Sequence, residues 1–375
     1  MKADKKGYLY SIITAGFVLL LLSTIVFYNT SRRIEMKDIS PIITTDELHY
    51  FILSVKNDLQ RIIFMSGKEA INCSVNYILS HDKDLSNYEM NNCTRFKYYI
   101  NGSEAAVAEL MLCGTIDGNV KIKDKTIQSW IKRINETAKD ANIIFDKLEV
   151  SDIKMGMYDS FHVGIIVYLD IEARDKYNIS SFKGYGIPSD IVLININETK
   201  DPLYYLNARI DGANHMDALK IPKFFRTCYF PYMNGSIINK ILSISADNNY
   251  RCYFTSNMTD YGYTLNDAGP SFFDRLDGNK NLSLLYTKQS EILFGERNIG
   301  LESFINVSYL QTQGIPVDFN QNYTWIDYIY WRKITNSGNC CVNYTNPKFR
   351  IDRMHTEDRY NIQEHNCDTP PVCVY

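Results

Sequence analysis

The sequence lacks the short motifs that identify most enzyme classes. It has no Gly-x-Ser-x-Gly nucleophile elbow, no Walker phosphate loop and no Gly-x-Gly-x-x-Gly dinucleotide-binding turn. Its six histidines are scattered, and no pair has the spacing that would place two imidazoles on one helix face, so no metal site is expected. The sequence therefore names no catalytic residue and implies no cofactor.

A strong net charge is also missing. The 40 Lys and Arg residues nearly balance 43 Asp and Glu residues, and the formal net charge is −3. No basic run is longer than a few positions, so nucleic acid is not expected as a partner. Two polar stretches, residues 211–217 and 274–281, collect Asp, Asn and His residues. We interpret them as ordinary loop and helix-end chemistry rather than as a catalytic cluster or a calcium site.

One long apolar run contrasts with this polar background. Residues 8–28, YLYSIITAGFVLLLLSTIVFY, carry no charge and would form a helix of about 30 Å, enough to cross the hydrocarbon core of a bilayer. The expected partner is a lipid bilayer, crossed by Tyr8 to Tyr28. A cleaved secretory signal is the alternative, but the run is longer than such a signal and has no Ala-x-Ala exit, which favours an uncleaved signal-anchor.

Basic residues lie on both sides of the apolar run, so charge does not decide the orientation of the chain in the membrane. Asparagine-linked glycosylation signals do decide it. Thirteen Asn-x-Ser/Thr triplets occur, where 34 Asn and 47 Ser plus Thr residues would give about four by chance. We therefore expect a single-pass cell-membrane protein with its C-terminal ectodomain outside. Asn29 adjoins the predicted span and is a poor acceptor. The other candidate acceptors are Asn72, Asn92, Asn101, Asn135, Asn178, Asn197, Asn234, Asn257, Asn281, Asn306, Asn322 and Asn343.

All nine cysteines also follow the apolar run, and none has the spacing of a zinc site. Disulfides outside the cytosol are the simpler interpretation, although buried thiols in an Asn-rich chain would give the same pattern. The odd number leaves one cysteine over, for which we choose Cys113, as a buried thiol or an intermolecular link. The expected pairs are Cys228 with Cys252, Cys73 with Cys93, and Cys340 and Cys341 with Cys367 and Cys373 in either order.

Hydrophobic periodicity predicts helices first and strands later. A capping box at residues 44–47 and the apolar stripe that follows predict a helix ending near Gly67, and further helices are expected at residues 68–80, 104–113 and 127–141. The stripe should pack within the chain, with a pilin-like bundle between copies as the alternative. Beyond Ala141 the period changes to two, which predicts antiparallel strands near residues 143–150, 162–172 and 190–197.

These patterns predict an α+β fold. After residue 200 the periodicity weakens, and we expect loops and short elements there, including helices at residues 237–244 and 271–276 and a strand at residues 325–331. The expected order is a cytoplasmic tail (1–7), a transmembrane helix (8–28), a linker (29–43), a helical region (44–141), an antiparallel β region (142–200) and a loop-rich, disulfide-stapled, Cys- and Tyr-rich α+β region (201–375).

The amino terminus and several later stretches resemble a known family. Lys5-Lys6-Gly7 before the apolar run resembles the processing site of archaeal type IV pilin precursors, in which cleavage after Gly7 would leave Tyr8 first. The stretches ELMLCGTIDG (109–118), IQSWIKRINETA (127–138), KDPLYYLN (200–207), GPSFFDRLDGN (269–279) and GLESFINV (300–307) follow in order. The chain resembles a family of archaeal single-pass surface proteins with pilin-like amino termini. The resemblance implies an envelope protein and transfers no active-site residue; the nine cysteines depart from the family's cysteine-poor pattern.

The expected function is that of a membrane-anchored, N-glycosylated cell-surface protein with a structural or adhesive role. A pilin-like or pilus-associated role is its more specific form, in which the chain associates with itself or with surface-filament subunits. Two alternatives remain open: an extracytoplasmic enzyme acting on envelope polymers, which is less favoured because no catalytic motif is present, and a ligand-binding ectodomain.

Overall fold

The computed structural model describes residues 5–90, 102–207, 221, 223–224, 261–265, 269–279, 281–295, 297–306, 324–326 and 349–350. The helices are α1 (Lys5–His81), α2 (Ser103–Leu112), α3 (Ile127–Asp140), α4 (Pro202–Asn207), α5 (Phe272–Leu276) and α6 (Leu284–Phe294). The strands are β1 (Thr115–Ile116), β2 (Asn119–Val120), β3 (Ile143–Asp159), β4 (His162–Asp175), β5 (Ser181–Pro188), β6 (Val192–Asn195), β7 (Tyr261–Leu265), β8 (Leu301–Asn306), β9 (Thr324–Ile326) and β10 (Phe349–Arg350).

The strands form three sheets. One has the order β3-β4-β5, and β6 pairs antiparallel with the start of β4, where His162 lies opposite Asn195. A second has the order β10-β9-β8-β7, in which only the β9–β10 pair is parallel. Strands β1 and β2 form a small antiparallel hairpin. The structure thus combines helices with mainly antiparallel sheets.

The predicted transmembrane helix is not found. No helix in the described part of the chain is long and apolar enough to cross a membrane. Residues 8–28 form one part of α1, which has 77 residues and continues through Arg32, Arg33 and the charged positions after them. The predicted architecture, with a separate transmembrane helix at residues 8–28, is therefore wrong. Residues 29–43 are likewise helical and lie within α1.

The other predicted elements agree with the structure to different degrees. The helices expected at residues 104–113, 127–141 and 271–276 are confirmed as α2, α3 and α5. The strands expected near residues 143–150 and 162–172 are confirmed as β3 and β4, and both are longer than predicted. The helix expected at residues 237–244 lies outside the described residues, as does most of the strand expected at 325–331.

The chain divides into two compact units. The first unit comprises residues 1–58, 133–149 and 170–187, and the second comprises residues 59–132, 150–169 and 188–375. In the first unit, Leu48, Ile52 and Val55 of α1 are buried, as their spacing of four and three residues requires for one helix face. The Phe51 and Phe145 rings also meet there, with their centroids 6.1 Å apart.

The second unit has a helix at its centre. All ten residues of α2 are buried, including Ser103, Glu104 and Glu109. A helix that is buried on every side has to satisfy its polar side chains internally. Glu109 does so, because its carboxylate accepts hydrogen bonds from the Tyr88 hydroxyl at 3.0 Å and from the Thr115 hydroxyl at 2.7 Å.

Gly67 does not end the first predicted helix, because α1 continues to His81. A Cβ at this position would lie 2.2 Å from Ile194 Cδ1 and 3.0 Å from Ile165 Cδ1. Glycine here lets the helix backbone approach the β4 and β6 side chains, which is a packing role rather than a helix stop.

Candidate functional site

The most exposed apolar surface of the described chain is residues 17–28 of α1, which we call the apolar segment. Ten of its side chains are large and apolar, and each is at least half exposed, from 50% for Val18 to 76% for Phe27. Successive residues of a helix point about 100° apart, so these ten side chains surround the helix instead of forming a stripe. An exposed apolar surface of this kind marks an interaction site.

The polar side chains of the apolar segment are satisfied within the helix. Ser23 Oγ donates to the Leu20 carbonyl and Thr24 Oγ1 donates to the Leu21 carbonyl, each at 2.8 Å. These hydroxyls therefore lose no hydrogen bond when another apolar surface replaces water around them. An open depression beside Ser23, Thr24, Phe27 and Tyr28 leaves room for a neighbouring side chain.

The predicted processing position lies at the beginning of the same helix. Helix α1 begins at Lys5, so Gly7 falls in its first turn. In the first unit the helix then passes from the apolar segment to the face formed by Leu48, Ile52 and Val55, which is buried. One helix thus carries an exposed apolar surface and a packed surface.

The described glycosylation candidates differ in exposure. Asn178 is exposed, has a φ of +55° and lies in the turn between β4 and β5, while Asn281 is exposed just before α6. Asn72 and Asn135 are half-buried on α1 and α3. The Asn197 Oδ1 atom is buried without a hydrogen-bond partner in the described part of the chain. Candidates outside the described side chains are Asn92, Asn101, Asn234, Asn257, Asn306, Asn322 and Asn343.

The cysteine pairing predicted for the first half of the chain is wrong. Cys73 is a free thiol, and burial raises its pKa, with the nearby Glu69 charge adding to the effect. Cys113, predicted to be the odd cysteine, is in a disulfide. These are the two described cysteines, so the partner of Cys113 lies outside the described residues, and spacing alone could not identify it. The other predicted partners, which also lie outside the described residues, are Cys93, Cys228, Cys252, Cys340, Cys341, Cys367 and Cys373.

The polar stretch at residues 274–281 caps helices, as predicted. Ser271 and Asp274 form a reciprocal capping box at the start of α5. Asp277 lies at the start of α2, where its Oδ1 accepts the Ser103 backbone N–H at 3.0 Å. The second polar stretch, residues 211–217, lies outside the described residues.

A buried ion pair in the second unit was not predicted. Arg275 Nη1 lies 2.9 Å from Asp201 Oδ2, and both side chains have no solvent exposure. Arg275 also donates to the Pro270 and Leu301 carbonyls, and the Tyr263 hydroxyl donates to Asp201 at 2.7 Å. Because every partner belongs to the protein and the pair is sealed from solvent, the arrangement stabilises the fold and does not present a reactive group.

One sequence signal could have revealed Asp201, although not its partner. Asp201 precedes Pro202, and an N-cap carboxylate followed by proline at the first helical position is a typical helix start. In the structure Asp201 Oδ1 accepts the Leu203 N–H at 3.0 Å at the start of α4. The partner of the other carboxylate oxygen is 74 residues away in sequence, and no local pattern points to it.

The described residues contain no group of three or more His, Cys, Asp or Glu side chains arranged to hold a metal ion. Comparisons of the chain with protein-family models, with curated proteins and with solved structures gave no significant match.

Proposed function

We propose that this chain is an N-glycosylated cell-surface protein with a structural or adhesive role, a pilin-like subunit that associates with copies of itself through the apolar segment. The observation that carries the proposal is the exposed apolar surface of residues 17–28 on a helix whose later turns are packed. A surface that is apolar on every side is covered best by several neighbours, because one partner helix would leave much of it in water.

The energy of covering this segment is sufficient for assembly. Full burial of a Leu, Phe or Val side chain contributes roughly 1.5–3 kcal/mol, so a half-exposed one gains about 1 kcal/mol. Ten such side chains give roughly 10 kcal/mol, which is comparable with the roughly 4–15 kcal/mol of freedom lost on association. Contact with a single neighbour would capture only part of this gain, which favours an assembly of many copies over a dimer.

Two further observations support a place outside the cytosol. The thirteen sequons occur in both units, with Asn135 and Asn178 in the first and Asn72, Asn197 and Asn281 in the second. Cys113 is in a disulfide, and such bonds persist mainly in oxidising compartments.

Electron microscopy and sedimentation of the purified full chain would test self-association. We expect filaments or other large assemblies from the wild type, and their loss in Leu20→Asp and Phe27→Asp, because each change puts a charge into the covered surface. The matched control is Ile292→Asp on α6, where the side chain is 82% exposed; this variant should assemble like the wild type. A chain that stays single and floats with lipid vesicles would contradict the proposal.

Mass spectrometry of native material would test the amino-terminal part of the proposal. Processing of the pilin type would give a mature chain beginning at Tyr8. A native chain that still begins at Met1 or Lys2 would contradict such processing, while the assembly experiment would still decide whether the apolar segment joins copies.

A further inference from the structure

Three carboxyl groups come together inside the second unit. Glu104 is on α2, Asp274 is on α5, and Asp277 follows α5. Glu104 is 5% exposed and Asp274 has no exposure. Asp277 is half-buried. Acids brought together in this way repel one another when ionised, and each loses hydration.

Asp274 and Asp277 each have at least two donors, whereas Glu104 has a hydrogen bond from the Gln289 side chain and one carboxylate oxygen without a partner. Asp274 accepts from the Ser271 hydroxyl at 2.6 Å and from the Ser283 N–H at 3.1 Å. Asp277 accepts the Ser103 N–H and the Tyr286 hydroxyl. Glu104 Oε1, in contrast, is buried and has no hydrogen-bond partner in the part of the chain that the structure describes.

No described cation compensates Glu104. The groups that face it are Asp274 and Asp277 from the α5 side and Tyr286 and Gln289 from α6. Arg275, which directly follows Asp274 in sequence, directs its guanidinium to Asp201 and to backbone carbonyls. Burial, followed by the charges of Asp277 and Asp274, therefore raises the pKa of Glu104 well above its usual value. Burial also raises the pKa of Asp277 to about 6.

We propose that Glu104 and Asp277 form a proton-linked pair that makes the second unit more stable in mildly acidic than in neutral or alkaline solution. The folded chain holds protons that the unfolded chain releases, so unfolding becomes more favourable as the pH rises. The stabilisation is complete below the ordinary carboxyl pKa of about 4. The Asp277 part is lost as the pH rises through about 6, and the Glu104 part is lost at higher pH.

The consequence for function rests on the proposed location outside the cell. A surface protein experiences the pH of its surroundings directly, and this pair lets the second unit gain stability when that pH falls. The dependence of stability on pH can be measured on the purified chain. A negative result there would leave the assembly proposal intact, and a negative result in the assembly experiment would leave the pH dependence intact.

Urea denaturation of the full chain at a series of pH values from 5 to 8 tests the pair. All three tryptophans, Trp130, Trp325 and Trp331, belong to the second unit, so tryptophan fluorescence follows that unit. The informative variant is Glu104→Gln, which has the shape of the protonated acid. The matched control is Glu291→Gln on α6, where the side chain is exposed.

For the wild type we expect the unfolding equilibrium constant to rise with pH, by up to about tenfold per pH unit for each linked proton. Glu104→Gln should match the wild type at pH 5, be more stable than it at pH 8, and lose the larger part of the pH slope. The control should keep the wild-type slope. A Glu104→Gln curve parallel to that of the wild type, or lower stability of this variant at pH 8, would overturn the proposal.

A second measurement needs no variant. Calorimetric unfolding of the wild type at pH 7, in buffers with different heats of ionisation, counts the protons released on unfolding. Net release supports the pair, whereas no release or net uptake contradicts it.

Discussion

At the residue scale, the buried pair of Asp201 and Arg275 joins parts of the chain that are far apart in sequence. Its hydrogen bonds reach the start of α4, the loop before α5 and the first residue of β8. Removing one partner of such a pair leaves an uncompensated charge in the interior, which typically costs about 3–5 kcal/mol. We therefore expect Arg275→Met to lower the free energy of unfolding by about that amount, measured by urea denaturation at pH 7.

A double variant separates the charge effect from the loss of packing. Asp201→Asn together with Arg275→Met removes both charges, so it should be less destabilised than the sum of the two single changes. Arg133→Met, at an exposed position of α3, is the surface control and should change stability by less than about 0.5 kcal/mol. Strictly additive single effects would show that the two side chains are not coupled.

Two glycines show what single residues can and cannot predict. Gly114 follows the helix predicted at residues 104–113 and has a φ of +76°, a conformation in which glycine avoids the steric penalty of a side chain. Gly67 gave the same local signal, yet α1 continues past it because the position serves close packing against Ile165 and Ile194. Local sequence detects the turn, whereas the packing role depends on strands about 100 or more residues further along.

At the element scale, α6 covers the free side of a long edge strand. Strand β3 is at the end of its sheet order, and exposed edge strands invite pairing with other chains. Ser290 Oγ donates to the Met157 carbonyl at 2.6 Å and Gln289 Nε2 donates to the Met155 carbonyl at 2.8 Å. These two side chains thus tie α6 to the backbone carbonyls of β3.

Ser290→Ala tests this cover. Ser290 is buried, so the change leaves the Met157 carbonyl without its donor, and we expect a loss of about 1–3 kcal/mol in the free energy of unfolding. Lys288→Ala, two residues earlier and exposed on the same helix, should be close to neutral. Tryptophan fluorescence in urea measures both. Equal stability of the two variants would mean that the Ser290 hydrogen bond contributes nothing net.

The strands also show why some elements can be predicted and others cannot. In β4 the odd-numbered residues from Val163 to Asp175 are buried and most even-numbered ones are half-exposed, the alternation that sequence analysis detects. Strand β5, Ser181–Pro188, has no buried residue and contains two glycines, so it lacks the apolar signal of a strand. Its place is set by pairing with β4, a tertiary constraint that its own residues do not encode.

At the scale of the whole molecule, the error about residues 8–28 has a clear source. The 21 residues have the length and hydrophobicity of a membrane span, but their own sequence does not indicate whether the helix continues beyond Tyr28. The structure carries the helix to His81, so the same residues belong to an element with a packed later part.

The acid pair of Glu104 and Asp277 could not be predicted from the sequence either, because its two members are 173 residues apart and meet only in the folded second unit.

Glycan occupancy is a property of the whole surface, and the described sequons allow a sharp prediction. The large hydrophilic glycan has to project into water, which favours acceptors with an exposed side chain. Asn178 and Asn281 are exposed on connecting segments. Asn197 has a buried amide oxygen and its sequon Thr199 is 7% exposed, while the Asn72 amide oxygen accepts the Thr199 hydroxyl at 3.5 Å.

We therefore expect peptide mass spectrometry of native material to find glycans on Asn178 and Asn281 and unmodified Asn72 and Asn197. Asn178→Gln should lower the mass of the native protein by one glycan, whereas Asn197→Gln should leave the glycan count unchanged because the Asn197 side chain is half-buried and its Oδ1 atom is in the interior. Glycans on Asn72 and Asn197 with bare Asn178 and Asn281 would contradict the prediction, since it orders the acceptors by the exposure of their side chains.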